Sequence, residues 1–462
     1  MKKQHVHRGK VPNRKMVEDP NRVFRKKVLT LSLVLVVGLP LLFSRLQFEK
    51  EVSAAVSDIA PQVIAVEEKR QERPQAAKKV PQQMEAKWSR YYEQGHAQSI
   101  RSVVRSSDGY LLTGNGQSNN VYVMEIDVNG NELWYRNLLG TNGAPTVGIE
   151  TPDGYFVSVM RTVFATDGKL SGDLYKIDKR EKKIVNRVPY ALNAMVPFDG
   201  GCIASGNNNV LYRFDSNGNK VWEKKIERGE YTILKHTTKA GTQRYRTHRG
   251  EIEKIIRTSD GNFVGIGGII TKKENVRTPW LFKFDASGRM LFETHVRDLE
   301  ANVHDVIETS DGSFIVNGSG YRRNLLVLKF SSKGELLWQR RYTKSGEGSA
   351  SGWGAAEYDG GYILANQTYS KHSYGVANVH LMKIDREGKK VWEKGFVRPE
   401  DHDHLRHIIP TPDGGYLLGG NSWKFRSQKP GFSAWLVKAD ATMKMDGNLF
   451  PIRNIHRVDE VF

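Results

Sequence analysis

Three histidines and two aspartates crowd into Asp401–His407. His402, His404 and His407 offer imidazole nitrogens there, and Asp401 and Asp403 offer carboxylates, the donors a divalent metal takes. No complete ligand spacing of a known site is present, so a polar loop between structural units is the preferred reading and a metal centre its rival. A second constellation is dispersed: Arg101, His304 and Arg406 each precede an Asp-Gly pair by seven residues, at Asp108, Asp311 and Asp413. If equal offsets mean equal places in repeated strands, these three and Trp353 meet at one mouth of a central channel as a polar, partly aromatic ligand site. Ordinary water-filled lining is the alternative. A third is the stretch 227–250, where Arg244, Arg246 and Arg249 interleave with Tyr231 and Tyr245 as at surfaces that bind protein or polysaccharide. A plain solvated insertion has the same composition. No Ser/His/Asp or Cys/His set can be assembled and no Gly-rich phosphate loop occurs. The single cysteine, Cys202, opens an apolar segment as a small filler. The sequence therefore nominates no catalytic residue and no cofactor.

Such residues need a frame, and the frame is a repeat. Asp-Gly followed by an apolar run recurs at Asp108, Asp153, Asp199, Asp260, Asp311, Asp359 and Asp413, at intervals of 45, 46, 61, 51, 48 and 54 residues. Asp-Gly between apolar runs predicts a hairpin, because Gly accepts positive φ and the Asp side chain caps the turn. A second hairpin follows in each unit, as in MEIDVNGNELW and MKIDREGKKVW. Counted from the Asp-type position at 127, 178, 215, 285, 331 and 385, a large apolar residue stands seven places on, at Trp134, Val185, Trp222, Phe292, Trp338 and Trp392. Gly stands at plus three in five of these six. Four strands per unit at a period near 50 predict an all-β, seven-bladed β-propeller over residues 86–450. The turns around Asp127 and Asp215 carry oxygen ligands on alternate residues. Glycine is misplaced for a calcium loop and no Glu follows at position twelve, so a hairpin turn is the reading. Trp134, Trp222, Trp338 and Trp392 belong, by their place in the repeat, to blade core and not to a sugar-stacking platform.

The seventh unit lacks an outer strand, and AKWSRYYEQG, ahead of the first unit, has the character of one. Residues 86–95, with Trp88, Tyr91 and Tyr92, are therefore expected to complete the last blade. Before them the chain changes character three times. Residues 1–27 carry ten Lys or Arg against Glu18 and Asp19, a large share of the net charge of +19. Residues 28–44 are apolar and uncharged, short for a span, and the positive flank predicts a signal-anchor helix with its amino terminus in the cytoplasm. Cleavage after Ser53-Ala54-Ala55 is the competitor, and Arg45 with the FEKE stretch sets that site far from the apolar run. Residues 45–85 read as a flexible linker reaching roughly 35 to 40 Å. Residues 451–462 form a tail.

The TxDGGY turns and hhhKhDxxGxxhW hairpins resemble the bacterial extracytoplasmic β-propeller repeat family related to PQQ-like and WD40-like propellers. The resemblance covers about residues 86–450 and implies location and shape without a particular chemistry. Two functions remain open. The first is a membrane-anchored scaffold or adaptor that binds another envelope protein. The second is a polysaccharide- or cofactor-binding propeller, enzymatic in the limit, with its site at the channel mouth. Either way the expectation is a single-pass protein of the cytoplasmic membrane with its propeller periplasmic or extracellular, out of reach of nucleic acid.

Overall fold

The computed structural model describes residues 88–92, 99–116, 120–138, 143–161, 171–226, 231–237, 243–248, 251–270, 276–320, 324–342, 349–369, 377–396, 401–424 and 431–443. The basic arm 1–27, the apolar segment 28–44, the linker 45–85 and the tail 451–462 lie outside them. Among the described residues no helix is long and apolar enough to cross a membrane.

Seven four-stranded antiparallel sheets follow one another along the chain, each in the order inner, second, third, outer. The inner strands of blades 1 to 7 are Ser99–Arg105, Ala144–Thr151, Leu192–Phe198, Glu251–Arg257, Ala301–Glu308, Ser349–Tyr358 and Asp401–Pro410. Each inner strand touches that of the next blade, and blade 7 touches blade 1, so the sheets stand in a ring about an axis. In blade 7 the three consecutive strands are joined at the outer edge by Trp88–Tyr92, with Trp88 opposite Lys438 and Tyr92 opposite Ala434. Between blades 3 and 4 the chain makes a separate two-stranded ribbon, Tyr231–Thr237 with Gln243–His248.

The apolar core sits in the seams. Seven buried clusters each draw side chains from two adjacent blades, for example Leu111 and Val121 of blade 1 with Tyr155 and Val157 of blade 2. A seam is fastened at its rim by the aromatic at plus seven, which lies on the turn of the following blade. Trp338 Nε1 donates to Arg386 O at 3.2 Å and Tyr342 Oη donates to Gly388 O at 2.8 Å. Trp88 and Tyr92 repeat this four-residue spacing on blade 1, donating to Val128 O at 3.1 Å and Gly130 O at 2.9 Å. A Cβ added to Gly130 would stand 2.8 Å from the Trp88 ring, and one on Gly288 3.0 Å from the Trp222 ring. Glycine at plus three thus does two jobs, taking the left-handed conformation and clearing room for the neighbour's ring.

Blade 2 departs from the sequence expectation. Its turn lacks Gly and is one residue longer, with Lys182 in the left-handed region at φ 56°. The register therefore places Asn186, not Val185, opposite Lys176, the position that Trp holds in blades 1, 3, 5 and 6 and Phe in blade 4, and Val185 is 61% exposed. Leu133, Val221, Leu291, Leu337 and Val391, likewise exposed, sit where the outer strand of each blade shifts register. They are the extra residues of β-bulges, which twist a free edge away from pairing with another chain.

The Lys of the repeat has a partner in the other motif. On the third strand, Lys176, Lys283, Lys329, Lys383 and Lys438 pair with Asp153, Asp260, Asp311, Asp359 and Asp413 of the same blade's Asp-Gly turn, and Arg213 pairs with Asp199. Blade 1 has Glu125 at that place. Its buried carboxylate accepts from Trp134 Nε1 at 2.6 Å and Tyr155 Oη at 2.9 Å, and Lys182 of blade 2 supplies the cation 3.9 Å away. The turns around Asp127 and Asp215 are hairpin turns: Asp127 Oδ1 accepts from the N–H groups of Asn129 and Asn131. Cys202 is buried in the second strand of blade 3, where burial pushes its thiol up to about 12.

Candidate channel site

Every inner strand shifts register once, and the extra residue occupies the same level of each blade: Arg101, Thr146, Asn193, Glu253, His304, Trp353 and Arg406. A bulge leaves backbone groups without ladder partners. Polar side chains of the preceding blade take them up. Asn421 Oδ1 accepts from Ile100 N at 2.6 Å, Ser158 Oγ accepts from Leu192 N at 3.1 Å, and Asp305 Oδ2 accepts from Ala355 N at 2.7 Å. The result is a ring of seven half-buried or exposed side chains around the axis.

Three consecutive members of this ring touch. The His304 ring stacks on Trp353 with centroids 4.4 Å apart and planes 19° from parallel. The Arg406 guanidinium lies 4.8 Å from the centre of the same indole. Glu253 pairs with Arg277, which starts the third strand of blade 4, and Lys254 pairs with Asp305 in the next position around the ring. Burial, then the charges of Arg277 and Arg406, push the His304 imidazole down to about 4. In the following position of blade 7, burial with Arg406 and Lys254 pushes His407 down to about 3, against a hydrogen bond with the Arg101 backbone. Both imidazoles are neutral at pH 7. Trp353 Nε1 and His407 Nε2 are buried without a hydrogen-bond partner among the described residues.

The structure places all four residues of the dispersed constellation, Arg101, His304, Trp353 and Arg406, at bulge positions, and brings the last three into contact. The Asp401–His407 segment is not the polar interblade loop that its composition suggested. It is the first part of the ten-residue inner strand of blade 7. His404 pairs with Asn421 and His407 with Gly419, two positions apart across the bulge and so on one face. The side chain of His402 lies outside the described residues, and among those described no three His, Cys, Asp or Glu side chains gather as a metal would require. Tyr231, Arg244, Tyr245 and Arg246 fall in the ribbon, with Arg244, Arg246 and His248 on alternate register positions. Their side chains and Arg249 lie outside the description. Sequence reasoning missed Glu253 and Thr146, although each stands seven residues before its Asp, at Asp260 and Asp153. Arg277 carries no local signal.

Two neutral, half-buried histidines make stability depend on pH. Each has an ordinary value of 6.5 and a lowered value in the fold, so the unfolded chain binds more protons between them. Stability is complete above pH 6.5 and falls as pH drops toward 4 for His304 and 3 for His407. We expect the melting temperature of the full chain to fall by roughly 5 °C from pH 7 to pH 5. The His304→Gln, His407→Gln double variant should lose most of that slope. An unchanged slope in the double variant would refute the assignment.

No family model matches the chain, and no curated protein matches it either. Among solved structures it is similar to BamB from Moraxella catarrhalis, at 15% identity and a TM-score of 0.40, over 76% of this chain and 96% of that one. It is also similar to a protein of unknown function from Bacteroides caccae, at 15% identity and a TM-score of 0.36, over 61% and 93%. The Dos1 propeller is a third, at 11% identity and a TM-score of 0.43, over 75% and 86%.

Proposed function

We propose that the protein is a membrane-anchored scaffold whose propeller docks an acidic surface of another envelope protein through the ribbon Tyr231–Thr237 and Gln243–His248. The ribbon carries this reading. Among the described residues its strands pair with each other and join no blade's sheet, and a lone two-stranded sheet is marginal in water until something covers it. Its strands place Arg244, Arg246 and His248 at alternate positions, a spacing suited to acidic side chains along one edge. Residues 28–44 hold the chain in the cytoplasmic membrane with the amino terminus inside, and the linker lets the disc stand clear of the bilayer. We also infer that the leading segment latches the ring, a reading supported by the pairing of Trp88–Tyr92 with Gly431–Ala439.

The test is crosslinking in intact cells from a photoreactive residue placed at Tyr245, followed by identification of the attached protein. Charge reversal at Arg244, Arg246 and Arg249 should cut the yield about tenfold. Equal recovery of the same partner from a chain lacking the ribbon would overturn the reading. Membrane fractionation of the same cells should retain the full-length chain, and a mature chain beginning after Ala55 would mean that the anchor is cleaved.

A further inference from the structure

We propose that the rim of blades 5 and 6 rests on an anionic phospholipid surface, with Leu337 and Val391 entering the headgroup layer and the cations around them binding phosphate. This rests on the membrane anchor proposed above and adds how the tethered disc is turned.

The exposed aliphatics alone mark no site. One recurs at the bulge of each outer strand from blade 1 to blade 6, as Leu133, Val185, Val221, Leu291, Leu337 and Val391. Charge separates them. On the outer strands of blades 2 to 4 and the turns leading into them, Lys183 pairs with Glu181, Arg187 with Asp173, Lys220 with Glu223 and Arg289 with Asp285, leaving Arg180 and Lys224 as scattered exceptions. The same elements of blades 5 and 6 carry Lys333, Arg340, Arg341, Arg386, Lys389 and Lys394, all exposed and none in an ion pair with a described residue. Glu335 and Glu387 are the exposed carboxylates among them, too few to answer the charge.

Contacts join these cations into one surface. Trp338 of blade 5 donates from Nε1 to Arg386 O at 3.2 Å on the turn of blade 6, and Tyr342 Oη donates to Gly388 O at 2.8 Å. The Arg340 guanidinium lies over that indole, 5.5 Å from its centre, and the Arg340 Cγ stands 2.8 Å from where a Cβ on Gly388 would be. The stem of Arg340 is thus packed on the turn that bears Arg386 and Lys389. Blade 6 repeats the arrangement, with Lys394 over Trp392 at 4.9 Å. Cations held side by side repel one another until an anion answers them, and a headgroup layer also takes the aliphatic side chains between them. The tether leads to the same edge. The chain enters the ring at Trp88–Tyr92, the outer strand of blade 7 and so the neighbour of blade 6. A flexible linker that lets the disc stand clear also lets this edge come down, while the ribbon, two blades further round, stays free for a protein partner.

Nitroxide labelling of the full chain, reconstituted into vesicles, tests this with one change at a time: Leu337→Cys, Val391→Cys, Val185→Cys or Val221→Cys. The native Cys202 is buried and out of reach of the label. In vesicles containing phosphatidylglycerol, labels at 337 and 391 should lose about threefold or more of their collisions with a water-soluble nickel chelate, while those at 185 and 221 stay aqueous. In phosphatidylcholine alone, or with Arg341→Glu, Arg386→Glu and Lys389→Glu combined, all four should be aqueous at an unchanged melting temperature. Aqueous labels at 337 and 391 in the anionic vesicles overturn the proposal, as does equal shielding at all four sites. Shielding at 337 and 391 only after polyglutamate is added would assign the rim to an acidic protein instead. Shielding that survives the charge reversals overturns the role of the cations. A carbonate wash of the same vesicles reads the anchor separately: release of a chain whose 337 label had been shielded sinks the anchor and leaves the rim.

Discussion

Asp413→Ala should destabilise the protein by about 3 to 5 kcal/mol, and Lys438→Met by less, although Asp413 is the more exposed of the pair. The side chain of Lys438 is 0% exposed and that of Asp413 33%, with Nζ and Oδ2 2.7 Å apart. Removing the carboxylate deprives a buried ammonium of its counter-ion while it keeps the Ala439 carbonyl at 3.4 Å, whereas removing the ammonium leaves a carboxylate that water can partly solvate. The carboxylate would also keep its bond from Thr411 Oγ1 at 2.6 Å. Methionine, moreover, fills much of the lysine's apolar stem. Thermal or guanidinium unfolding at pH 7 should rank wild type above Lys438→Met above Asp413→Ala, with a fall of roughly 5 °C for the last. The double change Asp413→Leu, Lys438→Met should recover most of the loss. An inverted order would mean that the buried charge is not what the aspartate serves. The same pair predicts acid sensitivity in a window of its own. Burial would raise the Asp413 carboxyl, but hydrogen bonds from Lys438, Thr411 and Gly415 outweigh it and hold the group below 3.8. Its contribution is therefore present above pH 3.8 and lost below, beneath most of the range in which the two histidines act.

The blade frame was legible because it is local and repeated: two turns and an aromatic at fixed spacing recur often enough to average out exceptions. The Lys–Asp bridge was written in the same repeats yet invisible as a bridge, since it joins one motif to the other and only the folded hairpin brings them together. The offset of seven that singled out Arg101, His304 and Arg406 is the distance from bulge to turn. It shrinks to six at Asn193 and Trp353, because Asp199 and Asp359 enter two-residue turns directly, each with φ above 40°. The histidine-rich segment read as a loop because its polar composition outweighed its strand signal. Pairing with a second strand that extends to Lys424 overrode that composition. Val185 was misplaced for a different reason, since a missing glycine lengthened a turn and counting cannot see a register shift. Arg277 lies in another strand, and no spacing rule relates it to His304.

Gly334→Val and Gly130→Val together weigh the seams against the latch, and both should cost about 3 to 4 kcal/mol. Gly334 sits at φ 85°, and an added Cβ would overlap the ring of Phe292 from the preceding blade. The left-handed conformation accounts for about 1 kcal/mol of the penalty and displacement of a packed aromatic for the rest. Gly130 has the same conformation, φ 80°, but the ring above it is Trp88, which belongs to a strand some 350 residues away in sequence from its blade partner Lys438. If Trp88–Tyr92 holds its edge as firmly as any other outer strand, the two valines are equally damaging by thermal unfolding at pH 7, and Trp88→Ala costs a further few degrees. A strand that spent most of its time detached would leave the Gly130 variant paying for its backbone alone, about 1 kcal/mol, and would leave Trp88→Ala nearly silent. The comparison thus separates a ring that is merely contiguous along its inner strands from one whose last blade is fastened to its first residues.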